Sequence, residues 1–217
     1  MLPHVFWIGG STDSGKTSVA KALAARHGWQ EYHYDLLDRL EWPGHWARID
    51  PVRHPNVFAA RGRSRDEAWV KTTPDEMVAE WLTTTPERFQ LTLEDLSALA
   101  STPPVVAEGY GLLPDLVLPL LGSDRQAIWL VSTDEFKRAS YERRGKGRFA
   151  DTSDPARARR NHIGRDLLLA THVRRRALDL GLTVVDVDGS RGLEETVARV
   201  EAHFEPWIRT LDHRDVR

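Results

Sequence analysis

The chain has 217 residues, enough to bury a full hydrophobic core, and this length predicts one domain with room for a small insertion. Its formal net charge of -2 excludes a global field that would draw it to nucleic acid or an anionic membrane. It contains no cysteine, which excludes disulfides, thiolate nucleophiles and cysteine zinc sites, and fits a reducing compartment. No apolar run reaches the roughly 18 residues of a membrane span, and no leader-like segment precedes the first apolar run. We therefore expect a soluble, cytoplasmic protein.

Apolar runs of strand length alternate along the chain with stretches of helical periodicity. The predicted strands are residues 4–9, 29–34, 104–108, 126–131 and 182–187. The predicted helices lie at residues 15–27, 112–121, 133–144, 155–180 and 191–204. Such alternation is typical of a parallel sheet covered by crossover helices. We therefore predict an α/β fold, with a three-layer, doubly wound, five-stranded parallel sheet, in a single domain over residues 1–217.

Residues 42–102 break the alternation and are predicted to form an insertion between the second and third strands. The stretch is first rich in Pro, Arg and Trp, and then helical in two pieces, PDEMVAEWL and PERFQLTLEDLSALA. Trp81, Phe89 and Leu93 have helical spacing in these pieces and are predicted to be core residues.

The segment GSTDSGKT, residues 10–17, follows the first predicted strand and opens the first predicted helix. It fits the G-x-x-x-x-G-K-[ST] pattern, in which glycines let backbone N–H groups turn towards a phosphate at a helix N-terminus. Lys16 would reach the β- and γ-phosphates, and the Thr17 hydroxyl would lie on Mg²⁺. The alternative, a coincidental Gly-Ser turn, is disfavoured by the flanking strand and helix. The predicted nucleotide-binding residues of this loop are Gly10, Ser11, Thr12, Asp13, Ser14, Gly15, Lys16, Thr17 and Ser18.

Asp13 fits this loop less well, because a carboxylate close to phosphates is repulsive. We expect its side chain to point to solvent, although a role on substrate or metal stays open.

The loop and the strand pattern resemble the P-loop kinases of the nucleoside and nucleotide kinase type, over most of the chain. The resemblance implies an enzyme that uses ATP and Mg²⁺ and phosphorylates a small molecule. It also implies a carboxylate just after the second strand, which acts as general base or holds the accepting hydroxyl. Here HYDLLD offers Asp35, with Asp38 behind it. The alternative for Asp35 is an N-cap on the short helical segment LLDRL.

The third predicted strand ends in VVAEGYGLLP, and its acidic residue followed by glycine looks like the carboxylate with which the family holds Mg²⁺ or its waters. Thr17 and Glu108 are therefore the predicted metal ligands. A carboxylate at the carboxyl end of a strand faces the crevice where α/β sheets bind ligands. The alternative for Glu108 is a turn residue that caps the next helix.

The family also has a mobile lid of arginines between the helix after strand four and the following long helix, which here corresponds to residues 145–165 and the basic run YERRGKGRFADTSDPARARRNHIGRD. Guanidinium groups suit phosphate because they present forked donors and stay charged, and a closing lid excludes water. Arg148 and Arg165 are predicted to be catalytic, and Arg144 and Arg160 to contact the nucleotide. For some of these arginines the alternative is a solvated helix face or a nucleic-acid patch.

After the fifth predicted strand, VDVDGSRG resembles the adenine-side loop of the family and nominates Gly189, with Ser190 and Arg191 beside it. The alternative is a turn in which Ser190 caps the final helix.

In the family, the segment between strands two and three builds the acceptor pocket. The insertion here contains aromatic and basic side chains that suit a ring with a negative group, or that alternatively pack a small subdomain. These residues are Trp42, His45, Trp46, Arg48, Arg53, Arg61, Arg63, Arg65 and Trp69.

The sequence as a whole favours an ATP- and Mg²⁺-dependent phosphotransferase that acts on a hydroxyl or phosphate of a small molecule. The alternative is a nucleotide-binding regulatory ATPase or GTPase switch with a protein or RNA partner, but the N/T-K-x-D motif of GTP specificity does not occur. An inactive homologue is disfavoured by the presence of Lys16, Thr17, Asp35 and Glu108. We expect no nucleic-acid or membrane partner, no metal site beyond nucleotide-bound Mg²⁺, and a monomer or homodimer.

Overall fold

The computed structural model describes residues 1–35, 47–144 and 148–212, apart from the side chains of Arg144 and Asp212. Its strands form one parallel sheet with the order β2-β3-β1-β4-β5. The strands are β1 (Val5–Gly10), β2 (Gln30–His33), β3 (Val105–Glu108), β4 (Ala127–Ser132) and β5 (Thr183–Val187). The predicted five-stranded parallel α/β sheet is confirmed. Because all strands run in one direction, their carboxyl ends lie together at one edge.

The helices in the described part of the chain are α1 (Lys16–His27), α2 (Pro55–Ala59), α3 (Pro74–Ala98), α4 (Pro114–Val117), α5 (Asp134–Arg144), α6 (Pro155–Asp179) and α7 (Leu193–Asp212). A π-helical turn spans Glu67–Lys71, and 3₁₀ turns span Leu118–Leu120 and Asp124–Gln126. Within the described residues, no helix combines the length and the apolar character needed to cross a membrane.

The two faces of the sheet carry separate cores, because alternate side chains of a strand point to opposite faces. In β1, Val5 and Trp7 are buried with residues of α3, α4 and α6, whereas Phe6 and Ile8 are buried with residues of α1 and α7. The predicted three-layer, doubly wound arrangement is therefore confirmed.

The prediction of two helical pieces in the insertion is wrong, because α3 runs without a break through Pro86. Pro86 is exposed, so its missing N–H weakens the helix on the solvent side. Thr85 Oγ1 donates to the carbonyl of Trp81 at 2.6 Å, which adds a hydrogen bond just before the proline, while the carbonyl of Leu82 loses its helical N–H donor. Trp81 and Phe89 are buried in the same core on either side of the proline. Burial of the apolar side chains along this face of α3 outweighs the local cost of the proline.

Two predicted helix boundaries also differ from the structure. The helix predicted at 112–121 is only Pro114–Val117 followed by a 3₁₀ turn, since Pro119 lacks the N–H that a longer helix needs. The last helix, predicted to end at residue 204, continues to Asp212 because Trp207 extends its buried stripe against the sheet.

Residues 47–102 hold α2, the π-helical turn and α3 between β2 and β3. The predicted insertion of residues 42–102 and lid of residues 145–165 remain predictions as functional units. Asp38, Trp42, His45 and Trp46, which the sequence singles out, lie outside the described residues.

Candidate active site

The phosphate loop, residues 10–15, connects the carboxyl end of β1 to the amino end of α1. Gly10 has φ 130°, and a Cβ there would lie 1.9 Å from the carbonyl oxygen of Leu130, so only glycine fits. Gly15 is the N-cap of α1, with φ 83° and no side chain to cap the helix. The amino end of α1 is therefore left open towards the loop, as an anion site requires.

Hydrogen bonds hold the loop to the end of β4. Ser11 N donates to the Leu130 carbonyl at 3.0 Å, and Ser132 N donates to Ser11 Oγ at 2.8 Å. Ser14 Oγ donates to the Ser11 carbonyl at 2.8 Å, and the buried Lys16 ammonium donates to the same oxygen. The ammonium of Lys16, the predicted phosphate lysine, thus points back into the loop.

The two predicted metal ligands are brought together, although they are far apart in the sequence. Thr17 Oγ1 donates to Glu108 Oε1 at 3.0 Å, and His33 Nδ1 lies 2.8 Å from the same oxygen. Glu108 is 1% exposed, and its Oε2 has no hydrogen-bond partner among the described residues. The hydrogen bond to Glu108 raises the pKa of His33, against the opposing effect of burial. A hydroxyl and a buried carboxylate with one unpartnered oxygen suit a hard cation.

Asp35 lies two residues after the end of β2, at the same edge of the sheet. Its Oδ1 accepts a hydrogen bond from Tyr110 N at 3.2 Å, which ties it to the loop after β3. A Cβ on Gly109 would lie 2.4 Å from Tyr34 Cβ, so glycine permits the close approach of these two loops. The segment LLDRL that Asp35 would cap lies outside the described residues.

A buried ion cluster, formed by Asp13, Lys137 and Asp166 with the hydroxyl of Thr12, lies against the phosphate loop. The Lys137 ammonium lies 2.7 Å from Asp13 Oδ2, 2.7 Å from Asp166 Oδ2 and 2.6 Å from Thr12 Oγ1. The expectation that Asp13 points to solvent is wrong, because a buried cation supplies an ion-pair partner. Lys137 was not predicted. The sequence feature that could have identified it is its position one helical turn before Tyr141, which places both side chains on the buried face of α5.

Arg165 is the predicted lid arginine that the structure places in the site. Its guanidinium donates to Asp166 Oδ1 from Nη2 at 2.6 Å and from Nε at 3.0 Å, and it lies 5.0 Å from the ring centroid of Trp69. One carboxylate oxygen of Asp166 therefore contacts Arg165, and the other contacts Lys137 and Thr12 beside the phosphate loop. Burial raises the pKa of Asp166, but Arg165, His162 and Lys137 outweigh it and hold that pKa below its ordinary value.

A cavity of about 240 Å³ lies between α3, the π-helical turn and α6. Trp81 and Tyr110 line this cavity, and both also line the narrow space beside Gly10, Ser11 and Thr12. Their rings are stacked at 5.4 Å with 24° between planes. The cavity is thus separated from the phosphate loop by one pair of aromatic rings. Its other aromatic and charged lining residues are Arg63, Trp69, Glu80, Arg88 and Arg165.

Of the insertion residues nominated for the acceptor, Arg63 and Trp69 line the cavity, and Arg63 pairs there with Glu80. Trp81 is buried as predicted but is also a cavity wall, and Arg88 was not predicted. The remaining described candidates lie elsewhere. Arg48 and Arg53 pair with Glu94, Arg61 lies over Phe58, and Arg65 pairs with Asp151.

Two of the other predicted lid arginines, Arg148 and Arg160, lie on the surface. Arg148 is exposed with its guanidinium 5.9 Å from the ring centroid of Phe149, and Arg160 is exposed on α6. Their contacts with a nucleotide stay predictions, as do those of Arg144, whose side chain is outside the described part.

Gly189, with φ 85°, forms the turn after β5, at the same edge as the phosphate loop. Ser190 Oγ donates to Asp188 Oδ1 at 2.6 Å, and the final helix begins only at Leu193, so the alternative in which Ser190 caps this helix is wrong. The role of Gly189 in nucleotide binding stays a prediction.

His162 lies behind the ion cluster, in contact with the rings of Trp69, Tyr141 and Phe149. Burial lowers its pKa to about 3, although the carboxylate of Asp166 acts in the opposite direction. His162 is therefore neutral near pH 7.

Comparison with solved structures supports this architecture. A gluconokinase from Sinorhizobium meliloti 1021 superposes with a TM-score of 0.50 at 16% identity, over 98% of this chain and 98% of that chain. The chain has the P-loop small-molecule kinase fold. Also similar are TT1252 from Thermus thermophilus (TM-score 0.47, 22% identity, 91% and 96% of the two chains) and shikimate kinase from Aquifex aeolicus vf5 (0.45, 16%, 93% and 96%). No protein-family model matches the chain, and no curated protein matches it.

His162 makes the stability of this P-loop kinase fold depend on pH. Since its pKa is about 3 in the folded protein and 6.5 for a free side chain, only the unfolded chain binds this proton between those values. Stability therefore falls as pH falls through that window. We expect His162→Phe to reduce the slope of the free energy of unfolding against pH by up to about 1.4 kcal/mol per pH unit. Urea denaturation from neutral to acidic pH measures this slope. An unchanged slope would contradict burial of a neutral His162.

Proposed function

We propose that this protein is an ATP- and Mg²⁺-dependent kinase that moves the γ-phosphate to a hydroxyl or phosphate of a small molecule bound in the cavity. One observation carries the proposal: the phosphate loop and the cavity share the same two walls, Trp81 and Tyr110. Phosphoryl transfer needs donor and acceptor side by side, because catalysis consists mainly of positioning and charge stabilisation.

On the donor side, the loop amides and the open amino end of α1 would bind the phosphates of ATP. Lys16 would exchange the Ser11 carbonyl for phosphate oxygens. Thr17 and Glu108 would hold Mg²⁺, and the fit rests on the buried, unpartnered Oε2 of Glu108. The cation, when bound, neutralises charge on the phosphates.

On the acceptor side, the cavity of about 240 Å³ lies below the usual range of about 300–1,000 Å³ for ligand pockets, which favours a small metabolite. Three arginines line it, and although Arg63 pairs with Glu80 and Arg165 with Asp166, their forked guanidinium donors suit an acceptor with a negative group. Asp35 would take or orient the proton of the accepting hydroxyl, since the amide of the cavity residue Tyr110 holds its carboxylate.

A regulatory switch is the weaker reading, because a switch has no need of an acceptor cavity beside its phosphate loop. The name of the gluconokinase with this fold makes transfer to a small molecule the first activity to test. Because the two chains are only 16% identical, the acceptor has to be found by experiment.

We expect ADP release from ATP and Mg²⁺ to depend on a small acceptor. The assay would screen nucleosides, nucleotides, sugars, hydroxy acids and aminoglycosides, with Lys16→Ala as the inactive control and with chelation of Mg²⁺ stopping turnover. Failure of every acceptor, together with slow hydrolysis accelerated by a protein or RNA, would favour the switch instead.

Glu108→Gln keeps the shape of the side chain but removes the charge of the proposed metal ligand. We expect the Mg²⁺-dependent gain in ATP affinity to fall by about 10- to 100-fold, the range for groups around metal sites, while affinity without Mg²⁺ stays unchanged. Calorimetry with and without Mg²⁺ measures both values. The matched control is Glu31→Gln, since Glu31 also bonds His33 but from the exposed side. Equal responses in the two variants would remove Glu108 from the metal site.

Asp35→Asn tests the proposed general base. ATP binding should stay intact, and acceptor-dependent transfer should fall by roughly 10²- to 10⁴-fold, the range for loss of a general base. Asp75→Asn, an exposed change on α3, serves as control. Loss of ATP binding in Asp35→Asn would show that Asp35 is structural.

A further inference from the structure

The phosphate loop carries a negative charge at Asp13, where its proposed ligand is itself strongly anionic. Asp13 has φ 60°, and its side chain is 27% exposed, so the carboxylate is partly held in the protein. A carboxylate beside phosphates is repulsive unless a cation compensates it. The structure contains such a cation.

Lys137 is that cation, and its position allows little choice of partner. The side chain is 2% exposed, and its three N–H donors match three oxygens at 2.6–2.7 Å, on Thr12, Asp13 and Asp166. Thr12 Oγ1 in turn donates to Asp166 Oδ2 at 2.7 Å. Lys137, Thr12 and Asp166 therefore contact one another in a closed ring. A buried ammonium held in this way cannot move to solvent without leaving carboxylates uncompensated.

The charges of the ion cluster balance once Arg165 is included. Asp13 and Asp166 carry two negative charges, while Lys137 and Arg165 carry two positive charges. Without Lys137, a surplus negative charge would remain directly beside the loop. The cluster also joins the loop to α5, which ends just before the predicted lid, and to α6, whose first turns belong to the predicted lid.

We propose that Lys137 is a positioning residue for polyphosphate binding: it neutralises Asp13 within the loop and holds Thr12 and Asp13 in the conformation that accepts the phosphates. The inference rests on the proposed function, because it takes a nucleoside polyphosphate as the ligand of the loop. Lys137 acts through Asp13 and Thr12 and makes no contact with reacting atoms in this assignment.

The first test compares Lys137→Met with the wild-type protein for binding of ATP and ADP by calorimetry and of adenosine by ligand-observed NMR. We expect affinity for ATP and ADP to fall by about 10- to 100-fold, the range for hydrogen bonds to charged groups. Adenosine binding should be unchanged, because it has no phosphate. Lys21→Met, an exposed lysine change on α1, is the matched control and should bind all three like the wild type.

The second test removes the charge that Lys137 compensates. Asp13→Asn is nearly isosteric, and asparagine tolerates a positive φ, so this variant should fold. We expect Asp13→Asn to bind ATP at least as tightly as the wild type, and Asp13→Asn combined with Lys137→Met to recover most of the lost affinity. If Lys137→Met does not fold, Asp13→Asn alone decides, and weaker ATP binding by it overturns the inference.

The outcomes separate this inference from the proposed function. A wild-type protein that binds no ATP would overturn the proposed function itself. Wild-type binding with an equal affinity in Lys137→Met would overturn only the role of Lys137. An equal loss for adenosine, or no recovery in the double variant, would also overturn it, since either result indicates a general structural defect.

Discussion

The pairing of β1 between β3 and β4 is the constraint on which the rest of the site depends. Its register sets Ile8 opposite Glu108 and Gly10 opposite Leu130, so the carboxyl ends of these strands meet at one level. The chain leaves β1 directly into the phosphate loop and returns as α1, which carries Thr17 to Glu108. A shift of one residue would exchange the two faces of the strand and separate this pair.

Compensated buried charge is the second feature that organises the site. Asp166 bonds Arg165 with one oxygen and Lys137 with the other, so the cavity and the phosphate loop are joined through one carboxylate. Breaking such a pair is costly because the partner stays buried without compensation. The two proposed binding regions therefore share one supporting carboxylate, although their ligands differ.

Sequence reasoning succeeded where the signal is local. The strands and the phosphate loop follow from apolar runs and glycine spacing, whereas the choice of Glu108 as a partner of Thr17 came from the resemblance to P-loop kinases. It failed where packing overrides local rules: α3 continues through Pro86 because one buried stripe lies on both sides of it. The partner of Asp13 was also missed, since Lys137 lies 124 residues further along the chain.

The sequence by itself determined the parallel sheet and the phosphate loop, because periodicity and glycine positions act on neighbouring residues. Only the tertiary structure decided which charges neutralise one another and which aromatic rings enclose the cavity. Lys137, Asp166 and Trp81 come from three different helices, and only the packing of those helices against the sheet sets the distances between them. Their roles therefore depend on contacts between remote elements that no local pattern encodes.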